Sequence, residues 1–298
     1  MTPTEALLDY LAQRDLALDP RYMREALRTL AQALMESEVG QMLDAAPYER
    51  NQSRRAYRNG YRESAWETPT GEISLRVPKL RKGSYYPHFL DHEAAQTLIQ
   101  LVQEAYVGDL LDITPALSSL DMVSLSAYDL ADIRERLDDV IYNAQHRPVL
   151  SAYDVLYLDA INVEFERTGR TLWRQILVAL GVTGDGRVEF LAHEIVSEVD
   201  DATWKSLLRK LRQRDLGPVR EVVSDHYEGV RTAVETELVD AVWQHHRNYL
   251  TRGDQSALVD AVSDLVVRAE SDDHDFPRMQ LPVYEADFAE SYPIYIVA

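Results

Sequence analysis

The spacing of apolar positions divides the chain into a helical front and a strand-rich back. Over residues 1 to 45 apolar side chains recur at helical intervals, at Ala6, Leu7, Tyr10 and Leu11 and again at Leu27, Leu30, Ala31, Leu34 and Met35. That spacing predicts amphipathic packing or dimerisation helices. The segment GEISLRVPKL alternates as a strand does, with Pro78 expected to end it or to mark an edge. Helical spacing returns from Ala94 to Tyr142, broken near Gly108 and Pro115. Within it, MVSLSAYDLADIRERLDDVI offers a serine as helix cap, as the second helix of a helix-turn-helix would. QHRPVLSAY reads as a connector.

From Val155 onward the order of elements is definite. Strands are expected at VLYLDAINVEF, LWRQILVALGVT and RVEFLAHEIV, the last two joined by a tight turn at Gly184 to Gly186. The helix DDATWKSLLRKLRQRDL follows, its aspartates at the positive end. A strand VREVVSD, a helix YEGVRTAVETEL and a short strand DAVWQH complete the series. Three hairpin-linked strands followed by helix, strand, helix, strand predict an α/β domain with a mixed sheet. A right-handed crossover sets the fourth strand beside the first, which is the order of a ribonuclease H-like fold. The expected organisation is a helical segment over 1–45, a region with a basic strand and helix-turn-helix-like helices over 46–150, an α/β domain over 151–252 and a tail over 253–298.

Composition narrows the class. The 298 residues hold enough apolar content, 46%, for a substantial core, and there is no cysteine for disulfides or thiolate chemistry. No apolar run is long enough to span a membrane and no basic-then-apolar leader opens the chain, so a cytoplasmic address is expected. The net charge is −19, which taken alone argues against nucleic acid as partner. Aspartate is abundant and lysine scarce, the surface bias of proteins adapted to concentrated salt. Against that background, residues 51 to 83 are a basic island. Arg54, Arg55, Arg58, Arg62, Arg76, Lys79, Arg81 and Lys82 outnumber Glu63, Glu67 and Glu72, leaving +5 there and −24 in the remainder.

One residue of the first back-half strand breaks its pattern. Val155, Tyr157, Asp159, Ile161, Val163 and Phe165 share a face, and all but Asp159 suit a core. A carboxylate so placed is costly unless it is paired or bound to a metal. Asp225 stands at the end of the fourth strand, and if that strand neighbours the first the two carboxylates converge. Oxygen ligands of this kind suit Mg²⁺ or Mn²⁺. His245 and His246 rank lower as ligands, since neighbouring side chains on a strand point to opposite faces. Trp204 and Trp243 read as core residues, with base stacking as a secondary role.

These segments resemble the bacterial and archaeal insertion-sequence transposases of the mutator type. YERNQSRRAYRNGYRESAWETPTGEISLRVPKLRKGSYYP is similar to that family's N-terminal block, LIQLVQEAYVGDL to its next helix and LSAYDLADIRERLD to its helix-turn-helix-like segment. YDVLYLDAINVEFERTGR and VREVVSDHYEGVRTAV match the strands bearing the first and second catalytic aspartates, here Asp159 and Asp225. The resemblance spans roughly residues 25 to 252. It implies a ribonuclease H-like enzyme of the DDE type with two Mg²⁺ or Mn²⁺ ions and no organic cofactor. It further implies a homo-oligomer, away from membranes, that cleaves and joins double-stranded DNA at terminal inverted repeats gripped by the basic island. The resemblance also implies that the region over 46–150 binds DNA, that the domain over 151–252 is catalytic and that the tail over 253–298 is truncated or divergent.

The chain also departs from the family. WQHHRNYLTR keeps Trp243 and Gln244 but has His246 in the place of a cysteine and Tyr249 in that of a histidine. The family's third carboxylate has no counterpart, because the surroundings of Glu285 and Glu290 do not match the catalytic helix. A truncated copy is therefore expected. The alternatives are a catalytically inactive DNA-binding remnant that represses or poisons a parent element, and a multimerising protein without DNA contact.

Overall fold

The computed structural model describes residues 1–43, 58–81, 83–108, 125–149, 151–167, 169–225, 229–246 and 256–271. Two helices open the chain, α1 (Pro3–Ala12) and α2 (Pro20–Leu43). Thr2 starts α1 in a reciprocal capping box with Glu5, satisfying two backbone donors that the first turn would otherwise leave open. Next comes a hairpin of β1 (Arg58–Thr68) and β2 (Gly71–Leu80). Trp66, Ile73, Leu75 and Val77 of this hairpin are buried in the same cluster as the apolar face of α2. The side-chain amide of Gln32 on α2 bonds both backbone groups of Arg76, at 2.8 and 3.2 Å, so the free edge of β2 is satisfied by a helix. Pro78 lies inside this edge strand, opposite Tyr61, rather than ending it.

Helices α3 (His92–Val107) and α4 (Ala127–Gln145) follow, the first closed by the left-handed Gly108, the second capped by Ser126 with Asp129. The cap anticipated for a helix-turn-helix is thus present. The residues that would form the preceding helix and turn lie outside the described residues, as does Pro115.

The sheet is built from β3 (Val155–Arg167), β4 (Arg170–Val182), β5 (Val188–Val196), β6 (Glu221–Ser224) and β7 (Val242–His245). Its strand order is β5-β4-β3-β6-β7. The three hairpin-linked strands are antiparallel, while β6 and β7 run parallel to β3, so the sheet is mixed as expected. Helix α5 (Asp201–Gln213) links β5 to β6, and α6 (Val230–Glu237) links β6 to β7. Gly229 begins α6 at φ +80°, and a Cβ there would collide with the backbone of Asp200 and Asp201. A side chain at position 229 would not fit so close to the start of α5, and glycine also takes the positive φ without strain.

Strand alternation sends side chains to two different cores. Leu156, Leu158, Leu177 and Ala179 face α5 and α6, packing on the fully buried Trp204 and on Leu207, Leu208, Leu211, Val230 and Val234. Truncating a side chain like Trp204 typically costs roughly 3–5 kcal/mol. Val155, Tyr157, Val163, Ile176, Val178 and Leu180 face the other way, into one continuous cluster with α1, α2, the hairpin, α3 and α4. A final helix, α7 (Ser256–Ser271), joins that second cluster through Leu258, Val262, Leu265 and Val266. The sequence reading assigned those residues to a truncated or divergent tail.

Candidate active site at the end of the parallel strands

The parallel part of the sheet is short, and its shortness makes the site. The last row in which β3, β6 and β7 all pair consists of Leu158, Ser224 and His245. The next residue on each chain segment is Asp159, Asp225 and His246 respectively. Polar side chains therefore begin where the ladder stops. The row itself is anchored by the indole of Trp243, which donates to the buried Ser224 hydroxyl at 3.0 Å.

Tyr157 and Val223 oppose each other and both enter the core on the α1 side. Two residues further on, Asp159 falls on that same face, whereas β6 ends at Ser224 and alternation does not set the direction of Asp225. Asp159 is half-buried. The Tyr10 hydroxyl of α1 donates to its Oδ2 at 2.8 Å, and the Ala160 amide donates to its Oδ1 at 2.8 Å. This answers why a carboxylate stands in an apolar strand face: the opposing helix brings it a phenol donor. Tyr10 is itself buried, with the Arg14 guanidinium 3.5 Å from its ring centroid. Burial, reinforced by the charge of Asp159, pushes the Tyr10 phenol well above its ordinary value, so it stays a proton donor.

Asp225 is more open, its side chain 56% exposed. Its Oδ1 lies 3.2 Å from Nε2 of His245 and 3.5 Å from Nδ1 of His246. The two imidazoles stack at 4.6 Å and 29°, and the His246 ring is buried. The expectation that these histidines point to opposite faces is corrected here. Alternation holds only within a strand, and β7 ends at His245, so the backbone turns before His246 and both rings reach Asp225. The sequence signal was the departure at His246; the alternation rule obscured it. Tyr10 carried no such signal, being 149 residues from its partner.

Asp225, His245 and His246 each bring one donor atom within 4.8 Å of the others, a set that could hold a divalent cation, and Asp159 is not part of that group. The basic island is less uniform than its composition suggested. Arg62, Arg76, Lys79 and Arg81 are exposed on or just beyond the hairpin, and Arg76 lies 4.5 Å over the Tyr61 ring. Glu63 faces Arg76 across the strands, and Glu67 faces Glu72. Arg58 opens β1, whereas Arg54, Arg55 and Lys82 lie outside the described residues. Among the described residues no helix is long and apolar enough to cross a membrane.

Comparison with known proteins places this geometry in a lineage. The chain is 32% identical over 256 residues to the transposase for insertion sequence element IS1081 of Mycobacterium tuberculosis, covering 83% of this chain and 60% of that protein. It is 29% identical over 249 residues to the transposase for ISRM5 of Rhizobium meliloti, covering 82% and 63%. It is 24% identical over 253 residues to the transposase for IS256 in transposon Tn4001 of Staphylococcus aureus, covering 83% and 63%. The chain thus spans about three fifths of the length of these relatives. The family described as "Transposase, Mutator family" matches residues 1–271, nearly the whole sequence, and the chain belongs to that family.

Proposed function

We propose that this chain acts on double-stranded DNA as a DDE-type transposase, with a ribonuclease H-like catalytic sheet and an N-terminal region that grips terminal inverted repeats. The observation that carries the proposal is that Asp159 and Asp225 directly follow Leu158 and Ser224, the last paired row of two parallel neighbours. The strand order, with three antiparallel strands and the fourth returning beside the first, supports it. Asp159 and Asp225 would hold Mg²⁺ or Mn²⁺. When bound, such ions activate a water or 3′-hydroxyl and stabilise charge at phosphorus. The chain's own part is positional. The phenol of Tyr10 and the Ala160 amide fix both oxygens of Asp159, while Asp225 remains open to solvent and to a DNA backbone. Exposed Arg62, Arg76, Lys79 and Arg81 would take phosphates, a contact that weakens steeply with salt.

The test is cleavage of DNA carrying the element's own ends, in Mg²⁺ or Mn²⁺. Wild type should cut, and Asp159→Asn and Asp225→Asn should each abolish cutting without abolishing binding. Equal cleavage by wild type and variants would remove these residues from the chemistry. Repeat binding without cleavage by any of the three would instead identify a DNA-binding protein without catalysis.

A further inference from the structure

We infer that Asp225, His245 and His246 form a binding site for a divalent transition-metal ion of the Zn²⁺ or Co²⁺ type, distinct in preference from the all-oxygen site expected of paired aspartates. The three ligand atoms lie within 4.8 Å of one another. Bonds of about 2.0–2.1 Å at tetrahedral angles separate neighbouring ligand atoms by roughly 3.3 Å. The Asp225 oxygen stands 3.2 and 3.5 Å from the two imidazole nitrogens, so two edges of such a tetrahedron already exist. The third edge, between the two imidazoles, spans no more than 4.8 Å.

The fold explains why these side chains meet. His245 pairs with Ser224 in the last row of the ladder, and its Nε2 reaches Asp225, the residue after Ser224, at 3.2 Å. Trp243 ties β7 to β6 two residues earlier. The strand then ends, and His246 stacks on His245 instead of turning away. His246 is held in the interior and His245 is only 23% exposed, so little side-chain freedom is lost on binding. Asp225 is the open ligand. Three protein ligands with an accessible fourth position are the arrangement of sites that bind water or substrate rather than purely structural ones.

Two imidazoles and one carboxylate select against Mg²⁺, which favours oxygen and keeps its waters, and toward ions that accept nitrogen. The site shares Asp225 with the proposed catalytic pair but does not require Asp159 or any DNA chemistry. The two can therefore fail separately.

The test is titration of the full chain with Co²⁺, read by its visible d–d absorption and by competition with Zn²⁺ and Mg²⁺. One equivalent should bind with the intense bands of low coordination number, displaced by Zn²⁺ and not by Mg²⁺. His245→Gln and Asp225→Asn should each weaken binding at least about tenfold, a loss of the size seen even for outer-shell changes. Asp159→Asn should leave the affinity within about twofold. His245 is partly exposed, so its replacement tests the site without emptying the interior; circular dichroism of that variant confirms the fold. Unchanged Co²⁺ affinity in His245→Gln, or displacement by Mg²⁺ as readily as by Zn²⁺, overturns the inference. Mg²⁺-dependent DNA cleavage with no Co²⁺ binding overturns it while the transposase reading stands. Co²⁺ binding that needs both histidines, without cleavage, leaves the site in place and removes the other reading.

Discussion

His193 should make the protein lose stability well above the range where carboxylates titrate. It sits on β5 opposite Val178, its ring stacked with Phe190 at 6.0 Å and tilted against Tyr106 at 5.5 Å. Burial pushes its pKa down from 6.5 to about 4; the Val107 carbonyl opposes the shift and Lys210 adds to it. The unfolded chain therefore takes up a proton on this ring near pH 6.5, the folded chain only near pH 4. Between those values the unfolded state binds more protons, so stability falls as pH falls. Each pKa unit of difference is worth about 1.4 kcal/mol, which gives a loss of roughly 2 kcal/mol at pH 5 and roughly 3 kcal/mol by pH 4. Urea denaturation of wild type and His193→Gln at pH 7.5 and pH 5 isolates this ring, because other titrating groups cancel in the comparison. Wild type should lose about 2 kcal/mol more than the variant on acidification. Parallel losses in both proteins would mean that the folded ring accepts its proton as readily as the unfolded one.

Two further outcomes follow from the same contacts. Tyr10→Phe keeps the ring beneath Arg14 but removes the donor to Asp159; hydrogen bonds to charged groups contribute about 1.5–3 kcal/mol, and partial exposure favours the lower end, so denaturation should show a loss of about 1–2 kcal/mol, with weakened DNA cleavage at unchanged DNA affinity. If neither stability nor cleavage moved, α1 would not be a positioning element. Glu237 on α6 accepts from Arg209 and Arg212 of α5, and those partners hold its carboxyl below the usual range. Its stabilisation is present above pH about 4.5 and is lost as pH falls through the folded value, so Glu237→Gln should flatten the acid limb of a plot of Tm against pH; an unchanged limb would exclude the pair as its source.

The sheet was largely legible because its signals are local. Alternation and turn residues located β3, β4, β5, β6 and β7 to within a few positions, and the Gly186 turn, at φ +81°, is where GDG promised it. Strand β1 escaped because RNGYRESAWET has only one large apolar position, Trp66, that packs inward; its partner strand and α2 hold it, not its own pattern. Helix α7 carries a legible signal, since Leu258, Val262, Leu265 and Val266 repeat at helical spacing, but it lies beyond residue 252, where the family resemblance ends. The site was half legible. Asp159 announced itself by breaking a pattern, and Asp225 by ending one. Tyr10 and the paired histidines depend on where other segments arrive in space, which no local period encodes.

The placement of the acids follows from a mismatch in strand length. β3 runs for 13 residues and pairs with β4 along all of them, but β6 contributes only four. From Asp159 onward β3 therefore has no backbone partner from β6, and its parallel edge opens at the carboxyl end of β6. Open α/β sheets bind ligands in such crevices, outside the strand ends and where connections diverge. A carboxylate two residues earlier, at Tyr157, would meet only the core; two residues later, at Ile161, it would stand three rows past the last pair with β6. Position 159 is the one on that face where an acid can keep the Tyr10 hydroxyl on one side and the end of β6 on the other. An acid moved to either flanking inward position, as in Tyr157→Asp or Ile161→Asp combined with Asp159→Ala, should for that reason not restore the chemistry of the original residue.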